Sequence, residues 1–429
     1  MRIRLGYVFV PIVSMALFLS PAYATNGMRL IGFGPVQRSM GGIGVGTTLD
    51  AASVLTNPAG MSDISQRLDF GATYFSPSVN YNATGVNIPA GAMGNVYPIK
   101  SVKSDGVTIH TDRGASPVPA FGLIVDITDD LKFGLGAYGI SGMGVDYKEN
   151  LYYGTLYTSY SQMRFAPGLS YRIMKGLSVG ATLNVMYATM EFDAASGFGQ
   201  VNHMGASSFG IGATFGAKYT LFDMISFGAA FEMMSFFKEF QFNVNSNTII
   251  NPMDGSRTSF PSGVDKLKFN QPSVATIGIS AKPIEGLTVG VDFELILWSE
   301  TNGLNKPKYT QSQPYTQPWN MNWTNQFVLK VGAEYRIIPM LAVRAGYNWG
   351  KMPLDPSRAF ENIAFPAVAE HHITLGVGVK LGEKFEINIG GMFSPRAEIS
   401  GSNPQNQYIV SYKTGMTQYS LELGLSYML

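Results

Sequence analysis

The sequence contains no cysteine, few histidines and few charged residues. Its 429 residues include four His, and Lys, Arg, Asp and Glu together make up only 14%. The absence of Cys excludes a disulfide framework of the kind that stabilises small secreted proteins. The histidines are His110, His203, His371 and His372. Because they form no HExxH motif, the sequence predicts no metal site, no cofactor and no enzyme activity.

Long apolar runs are also missing after the first residues. Residues 1–24 combine Arg2 and Arg4 with an apolar run and an Ala-Tyr-Ala end before Thr25, which predicts a cleavable secretory signal peptide. No Cys follows the cleavage site, so a lipoprotein is not predicted. No later apolar run reaches the roughly 18 residues that a membrane-spanning helix needs. Removing the signal leaves 28 basic against 29 acidic residues, which argues against a nucleic-acid partner.

Apolar and polar residues alternate with a period of two through most of the remaining chain. In the last segment, Leu421, Leu423 and Leu425 alternate with Glu422 and Gly424. Many such segments of about ten residues are typical of a transmembrane β-barrel. We count fourteen candidate strands, at 68–82, 118–126, 131–141, 158–173, 178–190, 206–219, 225–240, 267–281, 288–300, 323–337, 341–350, 370–381, 385–394 and 418–429. The sequence therefore predicts an all-β fold, a 14-stranded antiparallel barrel over residues 66–429.

The links between these strands distinguish a membrane barrel from a soluble β-sandwich. Short links alternate strictly with long ones along the chain. Outer-membrane barrels have short periplasmic turns and long external loops, whereas a sandwich has no reason to sort its links in this way. Because backbone groups in lipid need partners, we expect the last strand to pair with the first near Leu68.

If the Leu and Val faces point to lipid, the charged residues of the strands line the lumen. These residues, with one histidine, are Arg164, Lys218, Glu232, Asp292, Glu294, Lys330, Glu334, Arg336, Arg344, His372, Lys380, Glu386 and Glu422. An Arg or Lys facing lipid at mid-bilayer would cost ~2–4 kcal/mol, so their shared phase supports this orientation. Mixed acids and bases in a lumen are also expected to form ion pairs, and a binding role is the alternative.

Residues 25–65 lack this alternation and are rich in Gly and small residues, which predicts an N-terminal plug (hatch) inside the barrel. The segment runs through glycines between Gly41 and Gly46 and ends on Asn57-Pro58-Ala59-Gly60 just before the first strand. This N-terminus resembles the plug of the FadL-type outer-membrane transporters, with Asn57, Pro58 and Ala59 as the plug motif. That family takes up long-chain fatty acids and, in some members, toluene- or xylene-like hydrocarbons.

The resemblance extends over the whole mature chain. The segments 163–172 and 177–180 are similar to the fourth-to-fifth hairpin of the family, and 343–346 is similar to a later segment. In the family the third strand is kinked inward and opens a lateral gap, and Gly142 and Gly144 lie where that feature would fall. The external links at 191–205 and 241–266 are shorter than the loops that form the outer substrate groove in fatty-acid members.

Two sets of lumen residues are candidates for ligand binding. A ligand carboxylate would pair with a cation in a dry apolar pocket, because charge pairing strengthens where water is excluded. The headgroup candidates are Arg164, Lys330 and Arg344. The apolar pocket candidates are Met186, Met234, Phe236 and Phe237, which are equally compatible with packing in the wall.

The resemblance implies passive uptake of hydrophobic molecules, foremost long-chain fatty acids, across the outer membrane of a Gram-negative bacterium. The ligand would bind in an apolar pocket and pass when the plug shifts. Aromatic hydrocarbons are the alternative substrates, and a non-transport adhesin or structural barrel is the alternative of another class. The expected partners are the hydrophobic ligand and outer-membrane lipid, and the chain is expected to be a monomer.

Overall fold

The structure, a computed structural model, describes the chain from residue 26 to the last residue with internal gaps. The described residues are 26–84, 108–150, 154–196, 199–200, 204–244, 247–250, 257–260, 262–301, 309–310, 321–359, 361–401 and 411–429. The predicted signal peptide at 1–24 and Thr25, the first residue of the predicted plug, lie outside them.

Fourteen long strands form the body of the molecule. They are β1 (Arg67–Thr84), β2 (Ser116–Asp126), β3 (Leu131–Asn150), β4 (Gly154–Met174), β5 (Leu177–Ser196), β6 (Met204–Leu221), β7 (Ile225–Glu232), β8 (Val274–Ile284), β9 (Leu287–Ile296), β10 (Gln326–Ile338), β11 (Leu341–Gly350), β12 (His371–Leu381), β13 (Phe385–Gly401) and β14 (Ser411–Met428). Their number and antiparallel order confirm the predicted barrel.

The remaining described elements are short. They are the helices α1 (Gly34–Ser39) and α2 (Ser53–Thr56), the 3-10 helices Pro58–Asp63, Trp298–Glu300, Pro356–Arg358 and Glu361–Ile363, and the strands Thr108–His110, Gly199–Gln200, Phe236–Phe237, Phe240–Val244, Asn247–Ile250, Arg257–Phe260, Gly263–Leu267 and Tyr309–Thr310. Within the described ranges, no helix has both the length and the apolarity to cross a bilayer.

The sheet closes on itself. Each strand pairs with the next one along the chain. The seam joins β1 to β14 from Arg67 opposite Met428 to Thr84 opposite Ser411. The predicted partner of the last strand is confirmed, since Leu68 lies opposite Tyr427. Closure leaves neither the first nor the last strand as a free edge in lipid, where each unpaired group would be costly.

The two faces of the wall follow the predicted alternation. Leu421, Leu423 and Leu425 are 51%, 53% and 42% exposed on the outer face, whereas Glu422 between them is fully buried on the lumen face. All the charged residues and the histidine predicted to line the lumen are buried or half-buried. The apolar outer face suits lipid, and the lumen holds the ionisable groups.

Several strand boundaries differ from the prediction, and two of them bear on the site. β3 does not end near residue 141 but runs through Gly142 and Gly144, because these residues continue to pair with β4. β7 ends at Glu232 instead of near residue 240. After it, Ser235 forms an isolated bridge with Gln271, and the short strand Phe236–Phe237 pairs with β6 again.

Residues 26–66, here called the N-terminal segment, lie inside the barrel. Nearly every residue from 26 to 62 is buried. Helix α1 packs on β1 and on β11 to β14, whereas the 3-10 helix Pro58–Asp63 packs on β3 to β6, on another part of the wall. Prolines at the first turns of both helices suit positions where a backbone N–H would have no partner.

A ring of lumen-facing glycines surrounds the N-terminal segment, and we call it the glycine belt. It takes one residue from each strand: Gly71, Gly122, Gly136, Gly168, Gly180, Gly216, Gly228, Gly278, Gly290, Gly332, Gly346, Gly376, Gly390 and Gly424. Several belong to directly opposed pairs, such as Gly332 with Gly346. The belt therefore circles the wall at nearly one level.

The belt allows backbone of the N-terminal segment to touch the wall. A Cβ atom added at Gly332 would lie 2.3 Å from the carbonyl oxygen of Met40, and one at Gly228 would lie 2.0 Å from that of Val45. Real Cβ contacts do not come so close, so only glycine fits these positions. The wall carries no side chains at these positions, and the N-terminal segment occupies the space that they would otherwise fill.

Candidate substrate chamber and wall gap

Above the N-terminal segment, on the external side, the lumen is filled by apolar side chains that we call the apolar cluster. All of its members are at most 6% exposed. Its aromatic and methionine members are Met28, Tyr81, Met143, Tyr147, Tyr160, Met186, Met190, Phe237, Phe240, Phe242, Phe269, Trp298, Met321, Trp323, Phe365, Tyr412 and Met416. Such a collection of flexible thioethers and flat rings can adapt to apolar ligands of different shape.

Several polar ring edges of the cluster are hydrogen-bonded to neighbouring amide side chains, whereas the Tyr147 hydroxyl is buried without a partner among the described residues. Trp298 and Trp323 pack edge-to-face with centroids 5.0 Å apart. The Trp298 indole donates to Gln326 Oε1 at 3.2 Å, and Gln271 Nε2 donates to the Tyr160 hydroxyl at 2.9 Å. The rings satisfied in this way present mainly apolar surface to their neighbours in the cluster.

The floor of the apolar cluster is a layer of ion pairs. Both nitrogens of the Arg29 fork donate to Glu232, at 3.0 and 2.9 Å. Arg164 donates to the same carboxylate from Nη1 at 3.1 Å and from Nη2 as well. Two guanidinium groups therefore share one carboxylate, and this joins the N-terminal segment to β4 and β7.

The same layer fixes the glycine run of the N-terminal segment. Asp292 accepts the backbone N–H groups of Gly44, Val45 and Gly46 at 2.7, 3.0 and 3.4 Å. A cavity of about 30 Å³ lies between the segment and the wall here, bordered by Arg29 and Asp292 among others. That volume holds no more than a few water molecules.

The predicted plug motif fastens the end of the N-terminal segment. The Asn57 side-chain oxygen accepts the N–H of Ala59 at 3.2 Å and so caps the 3-10 helix that begins at Pro58. Its amide donates to the carbonyl of Val45 at 2.9 Å and to that of Ala217 in β6 at 3.1 Å. The single side chain links two parts of the segment to the wall.

The three headgroup candidates lie at two different levels, and each has a carboxylate partner. Arg164 and Lys330 lie at the floor of the apolar cluster, where Lys330 Nζ contacts Glu294 at 2.9 Å. Arg344 lies on the other side of the N-terminal segment, two residues before Gly346, and contacts Glu334 at 2.6 Å. The structure thus brings two of the three candidates together with the apolar cluster.

Two of the four pocket candidates belong to the apolar cluster and two do not. Met186 and Phe237 are buried members of the apolar cluster. Met234 is half-buried beside Asn270, whose amide lies 4.0 Å from its sulfur. Phe236 is 53% exposed and pairs with Ile211 on the outer face, so it does not line the lumen. The interruption of strand pairing after Glu232 reverses the phase that the sequence pattern implied, so Phe237 and not Phe236 faces inward.

The wall has a gap in its hydrogen-bond ladder between β2 and β3. Pairing of these strands stops at Ala120 opposite Tyr138, so residues 116–119 of β2 and 139–145 of β3 do not pair with each other. On the external side, the N–H of Asp112 donates to the carbonyl of Asp146 at 2.7 Å and limits the opening. We call this region the wall gap.

The N-terminal segment occupies the ladder positions that β2 leaves open. The N–H of Leu30 donates to the carbonyl of Ile140 at 3.2 Å, and the N–H of Gly142 donates to that of Met28 at 3.1 Å. The Ser141 hydroxyl also donates to the Met28 carbonyl, at 2.7 Å. The unpaired edge of β3 is therefore satisfied from inside the barrel.

The two glycines predicted for a lateral opening lie at this gap. Gly142 contacts the N-terminal segment as described. A Cβ at Gly144 would lie 2.2 Å from the carbonyl oxygen of Thr158 and 2.8 Å from the Arg113 guanidinium. A register shift between Gly139 and Ser141 marks a bulge at the same place, and a bulge bends the strand that carries it.

Comparison with known proteins identifies the family to which the chain belongs. A model of the family described as outer membrane protein transport protein (OMPP1/FadL/TodX) matches residues 31–422. The chain belongs to this family. It is therefore an outer-membrane transport channel for hydrophobic substrates in a Gram-negative bacterium, and members of the family are transport channels rather than enzymes.

Solved structures of FadL/TodX relatives share the fold. The Pseudomonas putida toluene transporter TodX superposes with a TM-score of 0.71 at 16% identity, over 93% of this chain and 99% of that one. A Pseudomonas aeruginosa FadL homologue gives 0.70 at 14%, over 94% and 99%. The Ralstonia pickettii toluene transporter TbuX gives 0.65 at 17%, over 93% and 99%. A comparison with curated proteins found no match.

Sequence reasoning missed the glycine belt and the contacts of Met28 to Leu30 with β3. The belt had a usable signal, because each strand carries a Gly on the same phase as its lumen charges, as Gly290 does beside Asp292. The N-terminal contacts had none, since no local pattern shows which strand edge an irregular segment will meet.

Proposed function

We propose that the chain takes up hydrophobic molecules by binding them in the apolar cluster and releasing them sideways through the wall gap into the membrane. The observation that carries the proposal is that the cluster reaches the gap. Met143 and Val145 lie on the unpaired stretch of β3 and belong to the cluster, as does Met28, whose carbonyl bonds that strand. Transport runs down a gradient and needs no energy source.

In this proposal the N-terminal segment acts as a plug of which only the start moves. Residues 34–63 touch the glycine belt and are fastened by Asn57 and Asp292. Residues 26–30 instead reach β3 through a few hydrogen bonds and the Arg29 ion pair. Release of these first residues would connect the apolar cluster to the wall gap and leave the rest of the lumen closed.

Long-chain fatty acids are the first proposed substrates. Arg29 and Arg164 share the single carboxylate of Glu232, and the Nε atom of Arg164 is buried without a hydrogen-bond partner. A ligand carboxylate at this floor would pair with the second guanidinium, and its chain would lie against Met186 in the apolar cluster. Buried charge-assisted hydrogen bonds favour a ligand that carries an anionic end.

Aromatic hydrocarbons are the second proposed substrates, supported by the rings of the apolar cluster. Pairs such as Tyr160 with Phe269, at 5.1 Å, leave faces and edges against which another ring can pack. A neutral ligand would leave every ion pair of the floor intact. Two of the structural relatives described above are named as toluene transporters.

The wall gap can be tested with an engineered disulfide, because the chain has no cysteine. A Cβ at Gly139 would lie 2.6 Å from Val118 Cγ1, so Val118→Cys with Gly139→Cys places two thiols within bonding range. We expect the oxidised protein to lose uptake of labelled oleate or toluene in an uptake-deficient strain, and reduction to restore it.

An engineered disulfide elsewhere in the wall provides the matched control. Val377 and Ile389 lie directly opposite each other on the outer face of β12 and β13. Val377→Cys with Ile389→Cys should cross-link without changing uptake. Full uptake by the oxidised gap variant would overturn lateral release while leaving the apolar cluster as the binding site.

The substrate class can be separated with Arg164→Gln. Loss of the charge should weaken oleate binding by about tenfold, the effect expected of one charge-assisted hydrogen bond, and leave toluene binding within about twofold. Arg344→Gln is the control, because Arg344 is equally buried and ion-paired but lies beyond the N-terminal segment. Unchanged oleate binding in the Arg164 variant, measured on protein that migrates as a folded barrel, would exclude the headgroup role.

A further inference from the structure

The outer faces of β13, β14 and β1 change from apolar to polar at one level. Phe393 and Tyr419 lie opposite each other with ring centroids 5.3 Å apart, and Tyr74 of the neighbouring strand is 61% exposed nearby. Such a band of aromatic residues marks the membrane–water boundary of outer-membrane barrels. On the external side of it, β1 continues with the exposed Ser78, whose hydroxyl suits a hydrated environment.

A bulge in β13 places two charged residues on this outer face. Up to Ser394 the even-numbered residues of the strand face the lumen, but the register shifts between Ser394 and Ala397. Arg396 and Glu398 are consequently exposed on the outside, and Ile399 packs into the lumen. Bulges often re-aim a side chain in this way.

The redirected residues form a compact charged group with Lys413 of β14. Glu398 accepts from Arg396 Nε at 2.7 Å and also contacts Lys413. Arg396 Nη2 donates to Asn80 Oδ1 at 2.9 Å. Its guanidinium lies over Gly415, where a Cβ would come within 2.5 Å of that nitrogen.

The group carries an excess of positive charge and remains open to the outside. Two cations share one carboxylate, and the side chains of Arg396 and Lys413 are 46% and 50% exposed. Arg396 is three residues beyond Phe393, which is about 10 Å along a strand. The cations therefore stand at the height of the lipid headgroups and beyond the acyl chains.

We propose that this outer face binds a phosphate group of lipopolysaccharide, the phosphorylated glycolipid of the outer leaflet. Arg presents a planar fork that matches phosphate, and Lys adds a second donor. The exposed hydroxyl groups of Ser78 and Ser400 on the same outer face can hydrogen-bond sugar. The site lies on the lipid-facing wall, apart from the apolar cluster and the wall gap.

The test measures binding of purified lipopolysaccharide to the full-length protein in detergent, beside the same glycolipid with its phosphates removed. Arg396→Ala with Lys413→Ala should weaken binding of the phosphorylated form by roughly tenfold or more and make the two forms equal. Lys384→Ala is the matched control, because Lys384 lies at the opposite end of the same strand, over the ring of Tyr427.

A second variant predicts a change of opposite sign, which misfolding cannot produce. Glu398→Gln removes the carboxylate that competes for both cations, so phosphorylated glycolipid should bind a few fold more tightly. Unchanged affinity in both variants, an equal loss for the two glycolipid forms, or an equal loss in the Lys384 variant would each overturn the proposal. Heat-dependent migration on gels shows that each variant is a folded barrel.

Discussion

At the scale of single residues, Asn57 combines a helix cap with a contact to the wall. Its oxygen caps the 3-10 helix, and its amide donates to Val45 and to Ala217. A buried donor or acceptor left without a partner costs about 1–3 kcal/mol. Because the side chain serves three groups, no other residue type satisfies all of them.

Replacing Asn57 should therefore loosen the N-terminal segment. We expect Asn57→Ala to admit a large hydrophilic antibiotic such as vancomycin, measured as a lower inhibitory concentration in cells that carry the variant. Asn57→Asp retains the acceptor for Ala59 but loses both donors, so it should behave like the alanine variant. Thr56→Ala, which loses only bonds within the segment, is the control. Wild-type resistance of both Asn57 variants would show that the wall contact is dispensable.

Residue identities on the lumen face were predictable, but their partners were not. Alternation alone puts Arg164, Lys330 and Arg344 inside, because a period of two fixes the face. Which carboxylate each one meets depends on the stagger between neighbouring strands and on the path of the N-terminal segment. The local sequence pattern contains neither kind of information. The structure is therefore needed to show that these cations lie on two different sides of the N-terminal segment.

At the scale of elements, bulges explain where the strand predictions stopped too early. The predicted ends near 141 in β3 and 394 in β13 both coincide with register shifts. A bulge adds one residue and reverses which face the following residues occupy. The alternation therefore appears to end there, although hydrogen bonding continues to Asn150 and Gly401.

The contact between β3 and the N-terminal segment predicts a variant with faster uptake. The N–H of Gly142 donates to Met28, not to β4, so Gly142→Pro removes that bond and spares the wall ladder. We expect a severalfold higher initial rate of labelled-ligand uptake, because fewer bonds hold the first residues in place. Gly142→Ala retains the N–H and should keep the wild-type rate. Equal rates in the two variants would mean that this bond does not limit release.

At the scale of the whole molecule, the glycine belt and the N-terminal segment form one closed layer. The fold itself was predictable, since the strand number, the closure and the orientation followed from alternation and from link lengths. The fit between the segment and the wall was not, because it depends on backbone contacts such as that of Met40 with Gly332. Composition shows many glycines but not that they share one level.

This layer predicts how a single side chain would open the barrel to ions. Gly332→Val should displace Met40, whose carbonyl oxygen lies 2.3 Å from the new Cβ, and raise the ionic conductance in planar bilayers above that of the wild type. Ala333→Val places the same side chain at the next residue, which points outward toward lipid, and should leave the conductance unchanged. If the Gly332 variant had the same ionic conductance as the wild type, the N-terminal segment would have adjusted to the new side chain without opening a path for ions.

The position of Pro35 has a consequence for how the molecule is assembled. Its ring rests against Gly71 of the first strand and against Gly424 of the last, at 2.9 and 2.8 Å from their would-be Cβ atoms. A residue near the beginning of the chain thus packs against one strand that follows it closely and against another that is the last to be synthesised. A partial product of synthesis lacks Gly424, so the contact surface for this proline is complete only once the whole chain has been made.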